Sequence, residues 1–328
     1  MKKEDILEFC NSLGLDTLGF IKCRRFKELE AFFCERKEKG LENEFEEKDI
    51  SKRINPFIYM EEGKTIISIA FPYLHDVKYY DNGFSVYTRG TDYHRVVKFY
   101  LNKICEFIEN NGGKALAFVD SNFLPERYIA YLAGIGFVGK NNLIITEKYG
   151  SYVFLGEIIT DIEIETNERN YEEIQNFKEC GGCELCYKSC PSKAINPYKK
   201  NSNICVSYFT QKKDLEDKHM KLLKGRVFGC DSCQNCCPYN EKIEFSKIHE
   251  FYPFDFMNSN NTLELVNAST KEFKESFFRT SCGWRGKNVL KRNALIKINN
   301  DKGDISEVKT DSPYLKDYVD RLLNINKI

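Results

Sequence analysis

The chain has 328 residues, 42% hydrophobic and 30% charged, enough to bury a substantial core divided over two or three domains. Its 49 Lys and Arg balance 49 Asp and Glu, so net charge makes no case for a nucleic-acid partner. No apolar run reaches the length of a membrane span, and the opening MKKEDILEFCNSLG lacks an apolar signal core, so a cytoplasmic protein is expected.

Ile6, Leu7, Cys10 and Leu13 predict an amphipathic helix over 3–13, followed by a short strand within 16–21. Residues 26–40 are helical in character and 42–52 form a charged surface segment. The β-branched run in KTIISIAFPY predicts a strand at 65–69, stopped by Pro72. The polar, aromatic and glycine-broken stretch 75–91 reads as a long loop at a site. Val97, Leu101, Ile104, Cys105 and Ile108 give a helix over 96–108, ended by Asn111-Gly112-Gly113. A strand at 114–119, a helix at 124–134 and a strand at 143–146 follow. A last strand at 152–160, expected to pair with 143–146 as a hairpin, completes an α/β domain over 1–165 with a mixed sheet.

Residues 161–179, with seven Asp or Glu against two Lys or Arg, link this domain to a segment poor in regular elements. Helices are then expected over 263–278, 289–298 and 314–323. Residues 271–297 carry eight Lys or Arg against two Glu, a basic patch able to meet phosphates.

Nine of the fourteen cysteines fall between 180 and 237. Cys180, Cys183, Cys186 and Cys190 make C-x₂-C-x₂-C-x₃-C-P, the spacing that closes thiolates around a cubane iron–sulfur cluster. A second run holds Cys230, Cys233, Cys236 and Cys237, again ending in Cys-Pro, with Cys205 alone between the two. In such modules the fourth cysteine of each run serves the other cluster. The first cluster would take Cys180, Cys183, Cys186 and Cys237; the second would take Cys190, Cys230 and Cys233, with Cys205 or Cys236 as its fourth ligand. Both clusters are expected to be [4Fe–4S], in a ferredoxin-like module over 166–245. The scattered Cys10, Cys23, Cys34, Cys105 and Cys282 read as small buried hydrophobes.

VDS-x₄-E-R at 119–127, GIGFVGKNNLIIT at 134–146, YGSYVFLGEIITD at 149–161, the double cysteine module and WRGKNVLKRNA at 284–294 together resemble the epoxyqueuosine reductase family. That resemblance implies an oxidoreductase that reduces epoxyqueuosine to queuosine at the wobble position of tRNA. It implies an α+β protein: an N-terminal cobalamin-reductase-like α/β domain, the ferredoxin-like double [4Fe–4S] module, and a short HEAT-like helical region over 246–328 that grips tRNA. Cobalamin would be held base-off between the first two, and an external one-electron donor would feed a monomeric enzyme. CVSYFT at 205–210 matches the family's remaining ligand segment, which selects Cys205 over Cys236.

The family's catalytic acid falls on Asp120, at a strand end where α/β domains present ligand-binding groups. Opening an epoxide needs a proton on the leaving oxygen, and a carboxyl supplies it when burial raises its pKa. Arg53, Ser121, Asn141, Gln211 and Lys212 fall at positions implied to contact cobalamin. Arg89, Asp92, Tyr93 and His94 match the family's G-x-D-Y-H-type segment, with Arg89, Tyr93 and His94 as substrate candidates. Arg285, Lys287, Lys291 and Arg292 are candidates for tRNA phosphates. The rival readings are a cobalamin-dependent reductase of a small organic substrate and an iron–sulfur electron carrier.

Overall fold

The computed structural model describes residues 1–198, 200–259, 262–306 and 308–325. In chain order the N-terminal part runs α1 (Lys3–Ser12), β1 (Leu18–Lys22), α2 (Glu30–Glu38), α3 (Ile50–Arg53), β2 (Thr65–Pro72), α4 (Tyr93–Asn110), β3 (Ala115–Phe118), α5 (Glu126–Leu132), β4 (Phe137–Val138), β5 (Ile144–Ile145) and β6 (Val153–Thr160). Strands β1, β2, β6 and β3 lie side by side in that order, and every pairing is antiparallel. This corrects the expectation of a mixed sheet. Strands β2 and β3, joined through α4, do run parallel to each other, but β6 inserts between them antiparallel to both and abolishes the parallel ladder. The expected hairpin is corrected too. β5 folds back on β4 around a turn with Asn142 in the left-handed region (φ 66°), leaving β6 to the main sheet.

All of β2 is buried, as a strand covered on both faces must be. Alternation sends Ile67, Ile69, Phe71 and Ile158 to the face covered by α1 and α4, and Ile66, Ala70 and Ile159 to the face covered by α2 and α5. Helix α4 begins earlier than the apolar period suggests, because the Asp92 side chain caps it by accepting from the His94 backbone N–H.

The cysteine segment holds only short helices: α6 (Leu185–Ser189), α7 (Val206–Gln211), α8 (Asp217–Leu223) and α9 (Ser232–Asn235). The last part contains α10 (Thr262–Asn267), α11 (Thr270–Glu275), α12 (Lys287–Asn300) and α13 (Pro313–Ile325). The expected helix over 263–278 is broken at Ser269, whose hydroxyl and Glu272 form a capping box that starts α11 afresh. Val206, Phe209, Met220 and Leu223 share one core with Leu290, Leu295, Tyr318 and Leu322, so the middle segment and the C-terminal helices form one packed body. Among the described residues no helix is long and apolar enough to cross a membrane.

Candidate active site

Strand β3 ends at Phe118, and two residues later Asp120 turns the chain with a left-handed backbone (φ 48°) that a non-glycine residue adopts only when held. The first turn of α4 faces it. The Tyr93 hydroxyl donates to Asp120 Oδ2 (2.7 Å), and His94 Nε2 lies 3.0 Å from the same oxygen. The other imidazole nitrogen, Nδ1, lies 2.8 Å from Asp92 Oδ1. An imidazole bracketed by two carboxylates uses both nitrogens as donors, which is the imidazolium form. Burial opposes that charge, but the bonds to Asp120 and Asp92 outweigh it and raise the His94 pKa to about 9.

The reciprocal effect holds the Asp120 carboxyl below its usual range: the His94 bond dominates, and burial does not overcome it together with the Tyr93 bond. The sequence reading expected a raised Asp120 pKa. The structure instead favours the proton on His94, because its bond to the carboxylate lowers the Asp120 pKa most.

Asp120 is 57% exposed, yet surrounding protein desolvates it, and the same holds for exposed Arg127. Side chains open to solvent but enclosed by protein line a recess rather than an outer surface. Arg127 feels the charges of Arg36, Glu46 and Arg53, and Lys200 those of Arg127, Cys180 and Cys186, its pKa lowered to about 8 chiefly by burial. Arg127 and Lys200 thus add positive charge in the surroundings that Asp120 and the cysteines share.

Cys180, Cys183, Cys186 and Cys237 line one cavity of about 300 Å³ with Lys140, Asn141 and Tyr239. Lys140 Nζ donates to the carbonyls of Gly181 and Cys183 and steadies that loop. Cys205, Cys230, Cys190 and Cys233 form a second neighbourhood: negative charge on Cys230 and Cys190 opposes ionisation of Cys205, and all three oppose that of Cys233, in each case added to burial. Cys236 acts on Cys186 and Cys237 instead, so it faces the first group. Among the described residues no three His, Cys, Asp or Glu side chains converge on a single-ion site. Cysteines spread around a cavity, their mutual repulsion adding to burial in raising the pKa of Cys186, Cys205, Cys233 and Cys237, fit a bulky cationic group better than one ion.

The other candidates divide. Ser121 is exposed in the Asp120 turn. Asn141 reaches the Cys233 carbonyl (3.4 Å) and so bridges the two cysteine groups. Arg53 pairs with Glu46 and lies 3.8 Å over the Phe33 ring. Gln211 bonds within α7, and Lys212 Nζ lies over Tyr208. Arg285 lies 4.5 Å over the exposed Trp284 ring and donates to the Gln211 carbonyl, while Lys287 donates to Thr270.

Two assignments are corrected. Arg292 is fully buried, its guanidinium held by the Lys212 and Lys213 carbonyls, Asn293 and Tyr314. Arg89 is 4% exposed and bonds Phe84, Tyr80 and Asn258. Both staple loops rather than face a ligand, and Lys291 is also largely buried. Sequence reasoning passed over Glu126 and Glu157, although both stand in the quoted stretches. Glu157 had a signal: a lone carboxyl in an otherwise apolar strand.

A family model described as a 4Fe-4S double cluster binding domain matches residues 179–240, and one described as Epoxyqueuosine reductase QueG, DUF1730 matches 53–121. The chain is 35% identical over 309 residues to the epoxyqueuosine reductase of Lactococcus garvieae, covering 91% of this chain and 86% of that one. It is 33% identical to the Bacillus subtilis protein of the same name, with 90% and 78% covered. Its fold matches a crystal structure of epoxyqueuosine reductase with an epoxyqueuosine-modified tRNA-Tyr stem loop (TM-score 0.89, 32% identity, 98% of this chain and 89% of that one). A Bacillus subtilis structure, solved with its catalytic aspartate loop swung out of the active site, matches with TM-score 0.86 at 30% identity, again covering 98% and 89%. At this identity and coverage, with the same fold from end to end, the chain belongs to the epoxyqueuosine reductase family.

Proposed function

We propose that the chain reduces epoxyqueuosine to queuosine in the wobble position of tRNA, and that Asp120 and His94 manage the protons. The observation that supports this most directly is the Asp92–His94–Asp120 arrangement, in a chain that also gathers a double set of cysteines, four of them around one cavity. Reduction of an epoxide to an alkene consumes two electrons and two protons and releases water. When bound, two [4Fe–4S] clusters and cobalamin supply the electrons from an external one-electron donor. Cys180, Cys183, Cys186 and Cys237 would hold one cluster, and Cys190, Cys205, Cys230 and Cys233 the other. Arg53, Ser121, Asn141, Gln211 and Lys212, joined by Arg127 and Lys200, would meet the corrin's amides and phosphate.

The chain's own task is the proton. As the carbon–oxygen bond opens, Asp120 delivers to the leaving oxygen a proton it draws from His94 Nε2, and Asp92 steadies the ring throughout. The Tyr93 hydroxyl fixes the Asp120 rotamer. A second proton along the same route releases the oxygen as water. The wobble base must be splayed from the anticodon loop to reach this recess, with Arg285 and Lys287 beside exposed Trp284 left to meet the RNA. We read 1–165 as the substrate domain, 166–245 as the electron relay and 246–328 as the RNA-gripping region of a monomeric cytoplasmic enzyme. The test is anaerobic reconstitution with iron, sulfide and cobalamin, followed by turnover on tRNA carrying epoxyqueuosine under a low-potential reductant. Queuosine is the expected product; bound cofactors with no queuosine formed would refute the assignment.

A further inference from the structure

The Asp120 turn is strained, and something must hold it. The Asp120 backbone N–H donates to Glu126 Oε1 (2.7 Å), and Asn122 Nδ2 donates to the same oxygen (2.9 Å). Asn122 Oδ1 in turn accepts from the Leu124 N–H, and Tyr59 accepts from the Phe123 N–H. A single carboxylate oxygen thus gathers both ends of the turn that presents the proton-delivering side chain. Glu126 opens α5, which packs on β6, and on the β6 face turned toward α5 lies Glu157, between Leu155 and Ile159. Glu157 is fully buried; Ser68 Oγ donates to its Oε1 (3.3 Å), and its Oε2 has no hydrogen-bond partner.

We propose that Glu126 is a positioning residue whose carboxylate latches the Asp120 turn into the site, while buried Glu157 beside it stays a neutral acid so that this layer carries one negative charge. The inference rests on the reading of Asp120 as the group that delivers the proton. A charged acceptor binds the two N–H donors more strongly than a neutral one, so ionisation of Glu126 sets the strength of the latch. The groups facing it are Asp120 and Arg127 of its own segment, Tyr59 from the turn after α3, Tyr93 of α4 and Glu157 of β6. Burial first, and the Asp120 charge second, raise its pKa to about 7, whereas Glu157 is pushed well above the carboxylate range by complete burial and by Glu126. The latch therefore tightens as pH rises through 7.

The test is hydrogen exchange at the Asp120 amide in the full reconstituted chain, resolved to single residues by mass spectrometry. Glu126→Ala is expected to speed exchange of that amide by about tenfold or more, with Glu126→Gln intermediate, since its oxygen still accepts but without charge. In the native chain, protection corrected for intrinsic exchange rises between pH 6 and 8; in Glu126→Gln it is flat. Glu157→Gln, the neutral isostere of a neutral acid, leaves Asp120 exchange unchanged, whereas acceleration there would overturn the neutral assignment. Turnover of Glu126→Gln should fall in kcat with KM for tRNA unchanged, because the RNA surface is untouched. Native-like exchange in both Glu126 variants would overturn the latch. If the native chain makes no queuosine, the functional reading fails instead, a result the exchange pattern cannot produce.

Discussion

At pH 7 the proton shared around Asp120 rests on His94, because its two carboxylate neighbours lift the imidazole to about 9 while the imidazolium depresses Asp120. The sign for stability follows. His94 has a folded pKa above its ordinary 6.5, so its contribution is complete below 6.5 and is lost as pH rises through about 9. Asp120, depressed, needs to be ionised, so the pair acts from the carboxylate range up to about 9. Urea unfolding of the native chain and Asp120→Asn should therefore differ at pH 6 and converge by pH 9.5. A constant difference would contradict the pairing.

The same scale separates the basic residues. Arg292→Ala leaves two carbonyls, Asn293 and Tyr314 short of their donor, and should cost about 3 kcal/mol or more of stability. Arg285→Ala should cost less than about 1 kcal/mol, measured by the same unfolding, and should weaken RNA binding instead. Charge in the sequence marked all four residues 285, 287, 291 and 292 alike. Only packing distinguishes them, because α12 is buried on every side from Val289 to Lys297. Asp120 was singled out through its motif; Glu126 was not, since it binds a backbone N–H, which no residue spacing records.

Among the elements, the helices with strong apolar period, α4 and α13, lie where the pattern put them, within a few residues, and α12 was placed as closely although it is buried all round. Sheet order was not readable, because antiparallel insertion of β6 between β2 and β3 depends on contacts far apart in sequence. Gly19 in β1 illustrates the same limit. A Cβ there would stand 2.0 Å from the Ala133 carbonyl oxygen, so this glycine lets α5 close on the sheet. The cysteine loops give the prediction at this scale. Cys236→Ser should retain the native iron content after reconstitution, whereas Cys237→Ser should lose about half of it. Iron assay and the absorbance of the clusters read both, and equal iron in the two variants would contradict the assignment of Cys237.

For the whole molecule, two cores lie on opposite faces of the sheet and a third joins the segment after Cys205 to the C-terminal helices. The Asp120 strand end lies in the first of these bodies, and the cysteines line a cavity of their own. The first carries Asp120 and His94, the second the cysteines. The claim that binds them is that electrons arriving from one side are matched by protons delivered from Asp120 on the other. The most direct measurement is queuosine formation on epoxyqueuosine-containing tRNA by the reconstituted native chain and by Asp120→Asn, with cofactor content shown equal. The variant is expected to be slower by about a hundredfold or more. Equal turnover in the two would contradict it.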